Sequence, residues 1–383
     1  MITESPPRAA LAYRSWVEVS RAQIAANFQA IRRVVGPDVE VMPIVKADAY
    51  RHGAIEVSKT LEAQGAHWLA VSNTDEGVAL RDAGIRADIL VMADFLPFTR
   101  EALLSNHLTP VIHSLADLAE LDTLAVRLGR TVRCHLKIDT GMGRLGTREE
   151  PAAIAAAIQS ARHVEVEGLM THFASAGNYQ TTQTADQMAV FDRTVDFLTQ
   201  AGIHPRLLHL SSTIPVAYRR RGAWRAMVRP GHAIYGYVSP ARGHAPANVL
   251  EVAPALSWHA TVLSVKDIPV GALVGYGGMF RAEKPMRIAV LAAGYADGIP
   301  HRLGNRGSVI VNGRFAPIVG AVSMDLTTID VTRSPSTRSG DAVTLLGTEG
   351  NLTIDAQQIA KWAGTISYSV LCGIHARVKR IYS

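Results

Sequence analysis

Eight short apolar runs alternate with helix-like stretches over the first two thirds of the chain, and this alternation limits the possible folds most strongly. The runs lie at 42–46, 68–72, 89–92, 109–112, 132–138, 164–172, 206–210 and 226–229. Strands that alternate with helices, such as those expected at 54–61 and 186–198, form parallel sheets, and eight such units predict a closed (β/α)8 TIM barrel. An open doubly wound sheet is the alternative, which the lack of a GxGxxG turn after an early run disfavours.

The last third of the chain has a different pattern. Beyond about residue 252, β-type runs are separated by Gly, Pro and Asn turns, with one short helix expected near 354–363; these runs lie at 258–265, 287–293, 308–312 and 341–346. The Asn-Gly pair at 312–313 predicts a two-residue hairpin loop. We therefore predict an α/β protein with a barrel at 14–252 and a mainly β C-terminal domain at 253–383. The early strand 15–19 has no place in an eight-stranded barrel, so we expect it to pair elsewhere, with the C-terminal domain as a candidate.

Composition and charge disfavour several classes of protein. Of the 383 residues, 48% are hydrophobic and 19% are charged, which is typical of a globular protein with a large core. The net charge of +6 comes from scattered arginines, and the cluster at 219–221 has no interleaved aromatic residues. We therefore expect no nucleic-acid partner.

Membrane insertion, secretion and metal binding are also not expected. No segment approaches the ~20 apolar residues that cross a bilayer, and the first 15 residues lack the apolar core of a secretory signal. The two cysteines, Cys134 and Cys372, are far apart in apolar runs, which predicts inert free thiols and no metal site. We expect a cytoplasmic protein with no membrane or metal partner.

Polar residues gather at the predicted C-terminal ends of the barrel strands, where catalytic groups collect in parallel barrels. They follow the first, fifth, sixth, seventh and eighth runs: Lys46, Arg144, His172, Ser212, Thr213, Arg229 and Gly231. A partly desolvated lysine in such a position has a lowered pKa and a nucleophilic amine. The hydroxyl and backbone donors of the last strands suit a phosphate. Each residue alone also fits a surface ion pair, a core histidine or a turn glycine, but together they predict one site.

The predicted β domain carries four polar turns that could form a second functional surface. They are VGYGG at 274–278, GYADG at 294–298, SMD at 323–325 and ISY at 366–368. A tyrosine beside glycines is by itself more often a packing residue at a strand turn. Four such turns in one small domain predict a shared surface.

These motifs resemble, in the same order, those of the alanine racemases, which are pyridoxal-phosphate enzymes built from a barrel and a β domain. The resemblance runs from about residue 14 to 380 and rests on VKADAY, KIDTGMGRLG, THFA, MVRPG, AIYGY, VGYGG, GYADG, SMD and ISY. It implies an isomerase that uses pyridoxal 5′-phosphate to interconvert L- and D-alanine for peptidoglycan. It also implies a homodimer whose active sites are shared between subunits.

The resemblance implies a role for each matching residue. Lys46 would hold the cofactor covalently, with Arg229 facing the ring nitrogen and His172 beside the ring. Further cofactor contacts are implied for Tyr50, Arg144, Ser212, Thr213, Gly231, His232 and Tyr368, and substrate contacts for Arg144, Tyr276, Tyr295, Met324 and Asp325. Lys137 matches a lysine that is carbamylated in many members.

The implied chemistry requires two bases on opposite faces of the substrate. The resemblance assigns them to Lys46 and to Tyr276 of the partner subunit. Neither group is effective at its free pKa of roughly 10, so neighbouring charges or desolvation must lower both values.

Several positions depart from the family's pattern. Arg51 stands where glycine is usual, Asp48 where asparagine is common, and Ser212 where asparagine precedes the hydroxyl residue. At positions that line the substrate entrance in relatives, an aspartate and two arginines are replaced by Gly177, His301 and Ala321. Neutral drift accounts for these changes, and so does an entrance that admits larger or basic amino acids.

Three further hypotheses compete with a racemase. One is a structural α/β protein that holds no cofactor, which the absorbance of a lysine-bound cofactor would exclude. A decarboxylase of the same barrel class would use a glycine-rich phosphate loop and an acidic residue at the ring nitrogen, where this chain offers Arg229. A non-enzymatic cofactor carrier built on a lone barrel would lack the second domain and Tyr276. Both features of the chain therefore favour a racemase.

Overall fold

The computed structural model describes residues 13–383, which divide into two compact units. One unit is Arg21–Ala253. The other combines the described residues up to Ser20 with Pro254–Ser383, so the first strand, β1 (Ser15–Val19), belongs with the C-terminal part of the chain. Among these described residues, no helix has both the length and the apolar character that a bilayer span requires.

The unit Arg21–Ala253 is an eight-stranded parallel barrel. Its strands are β2 (Glu40–Val41), β3 (Trp68–Val71), β4 (Asp88–Val91), β5 (Thr109–Ile112), β6 (Val132–Lys137), β7 (Val164–Met170), β8 (Leu207–His209) and β9 (Met227–Val228). Strands β3 to β8 are neighbours in chain order, and β2 pairs with β9. A bridge between Ile44 and Ala70 joins the β2 segment to β3, and the Ala226 amide donates to the Leu208 carbonyl between β8 and β9. These contacts close the ring and confirm the predicted barrel.

One helix precedes the strands of this unit, and the others lie between them. They are α1 (Arg21–Val35), α2 (Lys46–Tyr50), α3 (Ala54–Ala63), α4 (Thr74–Asp82), α5 (Arg100–Ser105), α6 (Leu115–Leu128), α7 (Pro151–Ser160), α8 (Gln183–Gln200) and α9 (Thr213–Ala217). Helix α6 shows why they begin and end where they do: the Ser114 hydroxyl accepts from the Asp117 amide, and Gly129 ends the helix at φ 63°. Helices cover the strands, so β3 and β5 are buried throughout, which explains their continuous apolar runs.

The second unit is mainly β. After β1 its strands are β10 (Leu256–Ile268), β11 (Leu273–Val274), β12 (Phe280–Arg281), β13 (Met286–Leu291), β14 (Ser308–Val311), β15 (Arg314–Pro317), β16 (Thr327–Asp330), β17 (Ala342–Glu349), β18 (Leu352–Ile354) and β19 (Lys379–Tyr382). Two helices, α10 (Ala356–Ala363) and α11 (Ser367–Gly373), complete it. Strand β1 pairs antiparallel with β10 and parallel with β19. The predicted hairpin is confirmed: β14 and β15 pair through Asn312 and Gly313, at φ 50° and 68°.

Candidate active site

The C-terminal ends of the barrel strands bring five of the predicted residues into one electrostatic neighbourhood. Burial, together with the positive charges of Arg229, Lys137, Arg144 and Lys46, lowers the pKa of His172 to about 3. Lys46 follows the β2 segment directly, Lys137 ends β6, and Arg229 follows β9. So many cations around one neutral imidazole create a positive potential that attracts an anionic ligand.

Lys137 is a buried amine within this neighbourhood. Burial lowers its pKa to about 8; Arg144, Arg229 and Lys46 contribute to the decrease, and Asp139 opposes it. A substantial fraction of this amine is therefore neutral near pH 8. Neutral amines react with carbon dioxide, so the site fits the carbamylation that the family resemblance implies as a possibility.

Arg229 is the most constrained cation of the site. Its residue surface is 3% exposed. Nη1 donates to Nδ1 of His209 (2.9 Å) and to the His209 carbonyl (2.6 Å), while Nη2 donates to the carbonyls of Thr171 (2.6 Å) and Leu210 (3.2 Å). Burial lowers its pKa to about 9, so it remains charged at neutral pH. None of its hydrogen bonds with the described residues uses Nε, which leaves one donor for the acceptor nitrogen of an aromatic ring.

The turn after Lys46 has a left-handed backbone. Residues 47–51 all have φ between 52° and 66°, a conformation that costs L-residues roughly 1–2 kcal/mol each. Neighbouring groups hold the turn: Glu76 accepts from the Ala47 amide (2.7 Å), and Asp48 accepts from the Ala54 amide (2.8 Å). Arg51 occupies its position at φ 66° where glycine would be unstrained. The turn fixes Lys46 and Tyr50 four residues apart.

Tyr50, Gly231 and Thr213 form a polar corner beside this turn. The Tyr50 ring is buried against Tyr235, with 4.6 Å between ring centroids. The Thr213 hydroxyl accepts from the Ala233 amide (3.2 Å) at the 3₁₀ turn His232–Tyr235. Two hydroxyls and a glycine backbone suit the oxygens of a phosphate. Ser212 directly precedes α9 and is the neighbour of Thr213 in the sequence.

The loop that carries Arg144 is organised by Asp139. One carboxylate oxygen of Asp139 accepts from the amides of residues 141, 142 and 143, and the other accepts from Arg148 (2.8 Å). Gly146 is required by space, since a β-carbon there would lie 2.8 Å from the Asp139 nitrogen. Arg144 itself is exposed and so can meet a ligand.

The remaining predicted residues belong to the second unit, where they differ in exposure and in local structure. Tyr276 begins a 3₁₀ turn between β11 and β12 and is 77% exposed. Tyr295 and Met324 are also exposed, and Tyr368 lies in α11. Asp325 is paired with Arg377.

Sequence reasoning missed Arg377, which links two of the predicted turns. Its guanidinium donates to both oxygens of Asp297 (2.7 and 2.9 Å) and to Asp325 (2.6 Å). These bonds tie the GYADG turn to the SMD turn, and they raise the pKa of Arg377 above its usual value. An acidic residue in each motif was the available signal, but nothing in the sequence identified the shared cation.

The three entrance positions tolerate side chains to different degrees. A β-carbon on Gly177 would meet Ile214 at 3.6 Å, an ordinary contact, so packing does not require glycine there. His301 is exposed and lies edge-on to Tyr295, with 6.2 Å between ring centroids. Ala321 is buried, and its nitrogen is 3.0 Å from where a β-carbon on Gly275 would lie.

Known proteins match this chain over nearly its whole length. The model of the alanine racemase N-terminal domain matches residues 19–240, and that of the C-terminal domain matches 255–382. The alanine racemase of Halothermothrix orenii is 38% identical over 370 residues, which cover 96% of each protein.

Solved structures share the fold as well as the sequence. The alanine racemase of Bacillus anthracis with bound L-Ala-P has a TM-score of 0.88 and 34% identity, covering 97% of this chain and 96% of that chain. The alanine racemase of Bartonella henselae with covalently bound pyridoxal phosphate has a TM-score of 0.86 and 25% identity, covering 97% of this chain and all (100%) of that chain.

Proposed function

This chain belongs to the alanine racemase family, and from that premise we propose that it is a pyridoxal-phosphate-dependent isomerase that interconverts L- and D-alanine. The observation that carries the proposal is the setting of Arg229. A buried guanidinium is held by His209 and backbone carbonyls, with Nε still available, in the electrostatic neighbourhood of His172. This arrangement suits a permanent cation opposite the nitrogen of an aromatic cofactor ring.

In this proposal, different residues at the barrel mouth bind the ring and the phosphate of the cofactor. Lys46 would hold it covalently, His172 and Arg144 would contact the ring, and Arg229 would donate to the ring nitrogen and disfavour its protonation. The phosphate is bound by Tyr50, Ser212, Thr213, Gly231, the backbone of His232, and Tyr368. When bound, pyridoxal phosphate withdraws electrons from the α-carbon of an amino acid and so acidifies the α-proton.

Racemisation requires a proton to leave one face of the α-carbon and another to arrive on the opposite face. We assign the first face to the Lys46 amine and the second to the Tyr276 hydroxyl of a second copy of the chain. The exposed cation Arg144 favours the substrate carboxylate at this mouth, with the buried Lys137 in its electrostatic neighbourhood. Tyr295, Met324 and Asp325 of the second copy would complete the substrate pocket.

The surface around Tyr276 supports a homodimer. On the same hairpin, Met279 is 61% exposed and Leu273 is 58% exposed. Exposed apolar side chains gathered around one tyrosine are typical of a surface that another protein covers. We propose that a second copy covers it and that each active site is built from both copies. A cytoplasmic supply of D-alanine for peptidoglycan is the corresponding cellular role.

The direct test is conversion of each alanine enantiomer by the purified protein with pyridoxal phosphate, followed by chiral chromatography. The two enantiomers have equal free energies, so both reactions must end at equal amounts. Tyr276→Phe should retain the cofactor, measured by its absorbance, while turnover falls by about 10²–10⁴-fold, the usual contribution of a positioned base. Equal rates for this variant and the parent protein, in both directions, would contradict the assignment.

Broader substrate specificity is a second candidate, favoured by the space beside Gly177 and the exposed ring at His301. Neither position carries the aspartate or arginine that is usual in the family. A panel of alanine, serine, lysine and arginine under identical conditions separates the candidates. A faster rate with a basic amino acid would favour the broader enzyme, and release of carbon dioxide would instead indicate a decarboxylase.

A further inference from the structure

A line of buried polar side chains runs through the barrel interior behind Arg229. Nη1 of Arg229 donates to Nδ1 of His209 (2.9 Å), and Nε2 of His209 lies 2.8 Å from Nδ1 of His135. Nε2 of His135 then lies 3.9 Å from Oε2 of Glu167. Both histidines are fully buried, and Glu167 is 4% exposed. The line therefore joins the proposed cofactor site to a buried carboxylate.

A β-bulge places Glu167 at the end of this line. In the pairing of β6 with β7, Cys134 lies opposite Val166 whereas His135 lies opposite Gly168, so Glu167 is an extra residue. Glu165 on the same strand is exposed, but the bulge buries Glu167. Gly168 provides the space for the imidazole, since a β-carbon there would lie 2.6 Å from the His135 ring.

The hydrogen-bonding chemistry of Arg229 determines which nitrogen of each histidine donates and which accepts. A guanidinium only donates hydrogen bonds, so its bond to His209 forms only when Nδ1 accepts and the His209 proton lies on Nε2. That proton is donated to Nδ1 of His135, which places the second proton on Nε2 of His135, facing Glu167. Burial lowers the pKa of His135 to about 3 and that of His209 well below its usual value, so both rings are neutral.

Glu167 is held as an acceptor at the far end. Arg206 donates to its Oε1, Arg133 donates to both Oε1 (3.3 Å) and Oε2 (3.4 Å), and Nε2 of His135 approaches Oε2. Nε2 of His135 has no hydrogen-bond partner among the described residues, so this carboxylate is the group positioned to stabilise its proton.

We propose that Glu167 is a positioning residue for Arg229: through His135 and His209 it fixes the tautomer that presents a lone pair to the guanidinium. No proton needs to move along the line. The carboxylate makes one of two possible proton arrangements favourable, and that arrangement orients the cation opposite the cofactor ring. The kinetic consequence rests on the proposed function, whereas the tautomers do not.

Replacement of Glu167 by glutamine would exchange the hydrogen-bond donor and acceptor nitrogens of both histidines. The amide oxygen would take the place of Oε1, because Arg206 donates to Oε1 alone and Arg133 is slightly closer to it, so the NH2 group would face His135. His135 would then accept at Nε2 and carry its proton on Nδ1. His209 would follow, and its Nδ1 proton would oppose the Arg229 donor.

The experiment uses the full-length protein loaded with pyridoxal phosphate and labelled with ¹⁵N-histidine. Long-range ¹H–¹⁵N correlation should show both rings neutral with protons on Nε2. In Glu167→Gln the protons should move to Nδ1, with kcat reduced at least tenfold and KM for alanine changed less than twofold. Glu165→Gln, an exposed change on the same strand, should match the parent protein in both measurements.

Two outcomes would overturn the proposal. One is a proton on Nδ1 of His209 in the parent protein, a measurement that does not depend on whether any variant folds. The other is a folded Glu167→Gln variant with unchanged tautomers. A parent protein with the expected tautomers but without racemase activity would contradict the proposed function and leave the positioning role of Glu167 intact.

Discussion

The hydroxyl of Tyr50 lies 2.4 Å from the point that a β-carbon on Gly231 would occupy. The backbone of Gly231 has φ −112°, which any residue adopts, so the requirement for glycine is one of space. Tyr50 cannot easily move away because its ring is buried against Tyr235. The left-handed turn after Lys46 and the loop after β9 therefore constrain each other in the corner that we assign to the phosphate.

Gly231→Ala should weaken cofactor binding because the new methyl group displaces the Tyr50 hydroxyl. We expect at least a tenfold increase in the dissociation constant of pyridoxal phosphate, which corresponds to about 1.4 kcal/mol. Absorbance titration of the cofactor-free protein measures it. Gly222→Ala is the matched control, since its β-carbon would meet only the flexible end of Met188 at 3.4 Å. Equal affinities for the two variants would be inconsistent with the crowding.

Lys137→Met should stabilise the protein in a pH-dependent way. The pKa of Lys137 is about 8 when folded, below the 10.5 of the free amine, because burial disfavours the charged form. The resulting destabilisation is fully present below pH 8 and disappears as the pH rises to about 10.5. We expect the variant to gain up to about 3 kcal/mol of unfolding free energy at pH 7, and little at pH 10.5.

Urea denaturation at these two pH values, in buffer free of carbon dioxide, measures the gain from Lys137→Met. Added bicarbonate should reduce the gain at pH 7, because a carbamate on Lys137 would carry a negative charge beside Arg144. A gain that is the same at both pH values would mean that the amine is not desolvated.

Arg377→Ala should destabilise the second unit and slow the reaction. The change leaves the buried carboxylate of Asp297 with the Gly294 amide as its donor (2.8 Å) and releases Asp325. Because the Arg377 side chain is 42% exposed, we expect a loss of about 1–2 kcal/mol, less than for a fully buried pair. Thermal denaturation measures it. Arg338→Ala, which removes a 3.7 Å pair with Asp341 from an arginine that is 86% exposed, should have almost no effect.

Much of the barrel could be predicted from the sequence because its strands are short, apolar and evenly separated. The run at 109–112 coincides with β5 (Thr109–Ile112), and most of the others end within two residues of the strands. The first prediction was wrong in its bounds, since the run at 42–46 follows β2 (Glu40–Val41) and does not overlap it. Burial on both faces makes such strands continuously apolar, which is a strong local signal. The strand ends then placed Lys46, His172 and Arg229 without any further information.

The features that sequence reasoning missed all depend on contacts between distant segments. The bulge that buries Glu167 follows from the pairing register of two strands, and the left-handed turn at 47–51 is held by Glu76, which lies a whole helix further along the chain. Arg377 joins Asp297 over 80 positions. Local sequence patterns do not predict contacts between distant segments, so the roles of these residues could be identified only from the folded structure.

His301→Arg should make the enzyme more selective for alanine against basic amino acids. His301 is exposed, so the longer side chain needs no repacking, and the arginine restores a permanent positive charge beside Tyr295. Charges at a pocket entrance mainly alter the approach of charged ligands, and salt screens the effect. Zwitterionic alanine has no net charge, whereas lysine and arginine carry one positive charge. We therefore expect kcat/KM for the basic substrates to fall about three- to tenfold at low ionic strength, with alanine nearly unchanged.

Chiral chromatography of parallel reactions measures the ratio of kcat/KM for alanine to that for the basic substrates. Ser336→Arg, an exposed change elsewhere in the same unit, controls for net charge. A difference that persists undiminished in 1 M salt would have to come from shape and not from charge.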